Sequence, residues 1–141
     1  MSPQLATSRL QITECYPVIS ELRPHLDQDA FLSQVQRQME SGYQLAYIEV
    51  DRKVVAVAGF RLSENLAWGR FLYVDDLVTL AAARSMGHGS ALLEWLKRYG
   101  AEQGCKQLHL DSGVQRKAAH RFYEREGMNN TSLHFCVECL A

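Results

Sequence analysis

Excess charge of either sign is missing from this sequence. Its 141 residues carry 15 basic and 16 acidic side chains, for a formal net charge of −1. Such a balance excludes the strongly basic footprint of a nucleic-acid binder. Long apolar runs are missing too. None approaches the ~20 residues of a membrane helix, so no membrane association is expected. The opening stretch MSPQLATSRLQIT is polar and has no signal-peptide core. The expectation is a soluble, cytoplasmic protein. Repeats, low-complexity tracts and linkers are also lacking, and the length suits a single domain over 1–141. There is no second C-x-x-C to accompany Cys136-x-x-Cys139, and no C-x-x-C-H. Residues three apart on a strand point to opposite faces. The four cysteines, Cys15, Cys105, Cys136 and Cys139, are therefore read as structural thiols, with neither a metal site nor disulfides.

What is present is 47% hydrophobic residues, enough for one core, in a pattern that changes period along the chain. Val18, Ile19, Leu22 and Leu26 fall near helical spacing, and Pro24 should break or bend that segment. A second helix is predicted over Asp29 to about Glu40, stopped by Gly42. Tyr43 to Val50 and Lys53 to Leu62 then read as a β-hairpin turning at Asp51-Arg52, with Gly59 marking a bulge. A third strand runs from roughly Gly69 to Leu80. After it come a helix (about His88 to Gln103), a short strand (Gln107 to Asp111), a helix (Gln115 to Glu126) and a last strand (about Ser132 to Leu140). The helical crossover after Leu80 makes its flanking strands parallel, whereas the hairpin is antiparallel. The fold class is therefore α/β (α+β), with a mixed, mostly antiparallel sheet, one parallel strand pair and helices on both faces.

The stretch ARSMGHGSALL, residues 83–93, joins a strand to a helix. Glycine lets another group approach the backbone closely, and the first turn of a helix has unpaired N–H groups and partial positive charge. Together they suit a phosphate or pyrophosphate, and Arg84 adds a forked cationic donor. The bland alternative is a tight turn without a ligand. A dinucleotide fingerprint would need glycine where Leu92 stands, and a P-loop would need lysine directly after Gly89, where Ser90 stands.

Arg84-x-x-Gly87-x-Gly89, after Leu77-Val78-Thr79 and before Ala91-Leu92-Leu93, resembles the acyl-CoA-binding motif of the GNAT family of N-acetyltransferases. Downstream, Ala119-His120-Arg121-Phe122-Tyr123-Glu124-Arg125-Glu126-Gly127-Met128 resembles that family's A-x-x-F-Y-E-x-x-G-F helix. The resemblance covers about Tyr43 to Met128, and the two N-terminal helices fit the family's substrate-shaping region. Within the family the chain looks most like the small-amine enzymes, including the aminoalkylphosphonate type. The resemblance implies a GNAT-like fold and an acetyl-CoA-dependent enzyme, with acetyl-CoA as co-substrate and a small-molecule amine as acceptor. Protein N-terminal or lysine acetylation, and a CoA-binding regulator without catalysis, are the alternatives.

Carried onto this sequence, the resemblance implies a pyrophosphate resting on backbone amides of Arg84, Ser85, Met86, Gly87, His88, Gly89 and Ser90. The pantetheine arm would pair with Leu77, Val78 and Thr79, and an N–H near Val78 would face the thioester oxygen. Tyr123 is the candidate acid for the departing thiolate. The family often places a glutamate base on this strand, where Tyr73 stands here. Asp75 is then the candidate base, through a water. Asp76 either orients the substrate ammonium or anchors the fold. As neighbours on a strand, Asp75 and Asp76 are expected on opposite faces, Asp75 with Tyr73, Leu77 and Thr79, and Asp76 with Val74 and Val78. Arg116 replaces a frequent asparagine and is a candidate for a CoA phosphate or an anionic substrate. Tyr73, Asp76, Arg61 and Arg23 are the candidate acceptor residues. An inward Arg23 or Arg61 would suit an amine that also bears a carboxylate or phosphonate. The family's usual seventh strand is missing or very short, leaving a sheet edge compatible with a homodimer.

Overall fold

In a computed structural model of the chain, residues 2–140 are described. The first helix starts at a reciprocal cap. The Ser8 hydroxyl accepts from the Gln11 N–H, and the Gln11 side chain accepts from the Ser8 N–H. The helix, α1, spans Arg9–Leu22 and buries Ile12, Cys15, Val18 and Ile19 on one face. It accommodates Pro17 on its exposed side and ends before Pro24, as the sequence predicted. Asp27 caps α2, Gln28–Glu40, through the Ala30 N–H.

The chain divides into two compact units, one ending at Leu110 and one beginning at Asp111. The first holds a five-stranded sheet in the order β1-β2-β3-β4-β5. Its strands are β1 Gln4–Leu5, β2 Tyr43–Val50, β3 Lys53–Asn65, β4 Gly69–Thr79 and β5 Gln107–Leu110. The β4–β5 pair is parallel and the others are antiparallel. The short β1 had no counterpart in the sequence reading. Helix α3, His88–Glu102, makes the crossover between β4 and β5. It packs on one face, where Phe60 meets Trp95 and Tyr99 edge-on at ring-centroid distances of 6.3 and 5.7 Å. Helices α1 and α2 cover the other face. Fully buried Leu45, Ile48, Val57, Phe60, Leu72 and Leu92 hold the layers together. Burial pushes the Cys15 thiol up to about 12, which fits a structural cysteine rather than a reactive one.

The second unit contains α4, Lys117–Arg125, entered from a turn in which the Arg116 N–H donates to the Gly113 carbonyl at 3.0 Å. That turn displaces the expected helix start from Gln115 to Lys117. The expected strand from about Ser132 to Leu140 is not formed. Residues 128–140 carry neither helix nor strand, and 131–140 are exposed. Alternating side chains favour a strand, but a strand exists only where a neighbour takes its backbone groups. No such pairing is made among the described residues.

The feature that shapes the site is a slip in the β3–β4 ladder. Gly59 pairs with Asp76 and Phe60 pairs with Val74, which leaves Asp75 as the extra residue of a bulge. Gly59 was the predicted bulge marker, and the inserted residue lies opposite it. The Tyr43 hydroxyl and Asp76 sit directly over its Cα, where a Cβ would collide with both. Gly59→Val is expected to destabilise the domain by about 1–3 kcal/mol through overpacking. The urea unfolding midpoint measures this, and an unchanged midpoint would show that the seat over Gly59 can yield.

Candidate active site

The bulge reorganises which side chains share a face. Tyr73 pairs with Arg61, and Asp76 pairs with Gly59. Arg61 and Gly59 are two residues apart on β3, so they share a face. Tyr73 and Asp76 therefore share it as well, and Tyr43 joins them through its pairing with Arg61. This corrects the expected alternation, which put Asp76 with Val74 and separated it from Tyr73. The one-residue insertion at Asp75 shifts the phase of the strand, and both carboxylates reach the same polar cluster.

Each carboxylate there is held twice. Arg61 donates Nε and Nη2 to the two oxygens of Asp75 at 2.8 and 3.0 Å. Its guanidinium also lies 5.1 Å from the centroid of the Tyr73 ring. The bond to Asp75 raises the Arg61 pKa further, so the guanidinium keeps its charge. Arg23, at the C-cap of α1, donates Nε to Asp76 Oδ1 at 2.9 Å and Nη2 to the Asp75 carbonyl at 3.1 Å. The Tyr43 hydroxyl donates to Asp76 Oδ2 at 2.7 Å. Burial, then the charge of Asp76, hold the Tyr43 phenol well above its ordinary value.

A cavity of ≈ 250 Å³ opens beside this cluster, lined by Arg23, His25, Phe31, Gln38, Tyr43 and Asp76 among others. A shallower concavity adjoins it, where Arg37 and Arg61 meet Gln34 and Tyr43. Among the named candidates, Arg23 and Asp76 line the cavity, Arg61 lines its neighbour, and Asp75 and Tyr73 are joined to them through Arg61.

On the far side of the bulge, β4 loses one of its two partners among the described residues. Its ladder with β5 ends at Val74 opposite Leu110, while Asp76 to Thr79 continue to pair with β3. Leu77, Val78 and Thr79 thus have strand partners on one side only among the described residues. Beyond Thr79 the chain enters a 3-10 turn, Ala81–Ala83, whose first N–H donates to the Glu21 carboxylate of α1 at 3.0 Å. Arg84 and Met86 are exposed, and Ser85 takes a left-handed φ of 67°. Gly87 is the N-cap of α3 at φ 82°, a conformation that glycine takes without strain. It supplies no side-chain cap, so no side chain of its own stands over the first turn, which contains His88, Gly89 and Ser90.

In the second unit, Tyr123 lies on α4. Burial raises its phenol pKa, and the charge of Arg116 pulls the other way. The phenol is thus a neutral hydrogen-bond donor across the physiological range. The ring of His120 bonds the Gly113 carbonyl at 2.7 Å, which makes it a fastener for the turn ahead of α4.

The model of the Acetyltransferase (GNAT) family matches residues 9–128. The chain belongs to the GNAT family. It is accordingly an acetyl-CoA-dependent N-acetyltransferase. A Bacillus subtilis relative, the uncharacterized N-acetyltransferase YhdJ, is 37% identical over 119 residues, covering 83% of each chain. The aminoalkylphosphonate N-acetyltransferase of Salmonella typhimurium is 34% identical over 62 residues, 44% of this chain and 40% of that one. Among solved structures, the aminoglycoside N-acetyltransferase AAC(6')-Iy in complex with a CoA-S-monomethyl-acetylneamine bisubstrate analog superposes with a TM-score of 0.88. It is 12% identical and covers 99% of this chain and 98% of its own. That likeness is one of fold.

Tyr43 and Gly59 were not among the sequence-derived site residues. Gly59 interrupts its strand in the sequence, but a tyrosine that starts a strand carries no signal of the aspartate it will meet. The raised Tyr43 pKa has a measurable consequence. Above pH ~10 an unfolded tyrosine gives up its proton while the folded one keeps it. Its stabilising contribution is therefore complete below that pH and is lost as pH rises through the folded value. Between about pH 9 and pH 11, the wild type is expected to lose more of its urea midpoint than Tyr43→Phe does. Equal losses would remove Tyr43 from the pH response.

Proposed function

We propose that this GNAT enzyme transfers an acetyl group from acetyl-CoA to the primary amine of a small molecule, within one catalytic domain. The observation that carries this reading is a strip of backbone. Leu77 to Thr79 have one edge without a strand partner, and the chain runs from there into the glycine-capped start of α3. The pantetheine arm would bond that edge. The Arg84 N–H donates to the Ala81 carbonyl at 3.4 Å, so the pyrophosphate would take amides of the loop from Ser85 onward, aided by the Arg84 side chain and the helix dipole. The bulge at Asp75 supports the reading, because an inserted residue frees backbone groups that can face a developing oxyanion.

In this scheme the amine nitrogen attacks the thioester carbonyl carbon, and the tetrahedral intermediate collapses by breaking the C–S bond. The proton lost from the nitrogen passes to a bridging water, which gives one of its own to the Asp75 carboxylate. The thiolate of CoA takes its proton from Tyr123. Both oxygens of Asp75 already accept from Arg61, which favours the water route over direct abstraction. Asp76 then acts as the anchor of Arg23 and Tyr43 and as a negative pole for the incoming ammonium. Arg116 is assigned to a CoA phosphate.

The cavity favours a small acceptor over a protein chain. Arg23 and Arg61 line the concavities while paired to carboxylates, and among the described residues the Arg37 side chain bonds only the Ser33 hydroxyl. An acceptor with an amine at one end and a carboxylate or phosphonate at the other matches this alternation of charge, in keeping with the aminoalkylphosphonate relative.

Calorimetric titration with acetyl-CoA tests the donor half. Micromolar binding is expected, and Gly89→Val should weaken it at least tenfold, about 1.4 kcal/mol, in protein that is still folded. Undiminished affinity would sink the pyrophosphate assignment. For the chemistry, Tyr123→Phe should lower kcat by about 10²-fold or more, with acetyl-CoA affinity largely kept. A kcat equal to the wild type would remove Tyr123 as the acid. Thiol release across an amine panel then ranks acceptors with and without an anionic group.

A further inference from the structure

The charged cluster beside the cavity holds more positive charge than it neutralises. Arg23 is paired with Asp76 and Arg61 with Asp75, one guanidinium to one carboxylate. Arg37, on α2, faces the adjoining concavity and has no carboxylate partner among the described residues. That concavity is lined by Gln34, Arg37, Gln38, Ser41, Tyr43 and Arg61, a set without an acidic residue. The excess is local, since the chain as a whole carries a net charge of −1.

The donors around it suit an oxyanion. Arg37 Nη1 donates to the Ser33 hydroxyl at 2.9 Å, and the rest of its planar fork is open among the described residues. Arg61 holds Asp75 through Nε and Nη2, which leaves Nη1 outside that pair. Gln34 donates to Gln38 Oε1 at 2.9 Å, so the Gln38 amide nitrogen keeps its own N–H groups to give. Ser41 adds a hydroxyl. The cavity next door shares Gln34, Gln38 and Tyr43 with this concavity, and there the charged side chains include Asp76. A short acceptor can therefore turn its ammonium toward Asp76 and an acidic group toward Arg37.

We infer that Arg37 selects the acceptor. It binds a carboxylate or phosphonate at the end remote from the amine, and it repels acceptors that carry a second ammonium there. The inference rests on the small-amine reading of the site and deepens it. Arg23 and Arg61, the arginines expected from the sequence to meet such a group, are held by the two aspartates and frame the place instead. The balance of charge supports Arg37. An amine attacks after losing its proton, so an amino acid or an aminophosphonate reacts as an anion. Three guanidiniums against two carboxylates leave a positive charge to meet it. Arg37 determines specificity, and the reacting atoms lie elsewhere.

Two pairs of amines test this: β-alanine with β-alaninamide, and aminoethylphosphonate with its dimethyl ester. Each pair differs at one end by a charge. Thiol release from acetyl-CoA gives kcat/KM for every member. The wild type should prefer the acid to its neutral partner by about tenfold or more. In Arg37→Ala that preference should fall by about tenfold or more, chiefly through KM. Arg37→Lys should keep part of it, and Arg37→Glu should turn it toward a diamine. The larger preference of the two pairs tells carboxylate from phosphonate. An equal fall for acid and neutral partner in Arg37→Ala would mean a structural role and would overturn the inference. A wild type that uses the neutral amines as well as the acids would overturn it too, with the small-amine reading left standing. Acetylation of peptides alone would overturn both.

Discussion

The Asp76 carboxylate is the point on which this site depends. It accepts from Arg23 at the end of α1 and from Tyr43 at the start of β2, and it does so over a residue with no side chain. Four elements, α1, β2, β3 and β4, meet there. The bonds are charge-assisted and short, and the phenol is buried, so the contact fixes where α1 ends relative to the sheet. The guanidinium of Arg23 is partly exposed, with 43% of its side chain open to solvent. Its value therefore lies more in placement than in stability.

From that placement follows a division of work along β4. Before the bulge, the strand is paired on both sides and belongs to the core. At the bulge it turns two aspartates toward the arginines. After it, the strand keeps one neighbour and presents the other edge. A single inserted residue thus separates a side rich in charge from a side built from backbone, which the proposed function assigns to acceptor and donor. The GNAT family membership gives this division its chemical meaning, because an acetyltransferase needs both a place for an amine and a track for a long thioester.

Most of the fold could be read in the sequence because its signals are local. Gly42 marks a helix end, and the β-branched runs on either side of Asp51-Arg52 mark a hairpin. The two glycine-containing motifs led to the family. What could not be read was set by tertiary pairing. Strict alternation put Asp75 and Asp76 on opposite faces, since nothing in YVDDLVT reveals that a residue will be left out of register. The partnership of Tyr43 with Asp76 spans 33 positions and has no spacing rule. The segment 132–140 has the composition of a strand, but composition cannot supply the neighbour that would make it one.

The last turn of α1 has a consequence of its own. Arg23 reaches the cavity wall from it, and Glu21 holds the first N–H of the turn that leads into the glycine loop. The two contacts ride on one stretch of helix, so a shift of that stretch would reach the places assigned to acceptor and to donor alike. Thermodynamic linkage then runs both ways. Whatever one ligand gains by settling that stretch, the other gains in equal measure, and the order in which the two bind leaves the total unchanged.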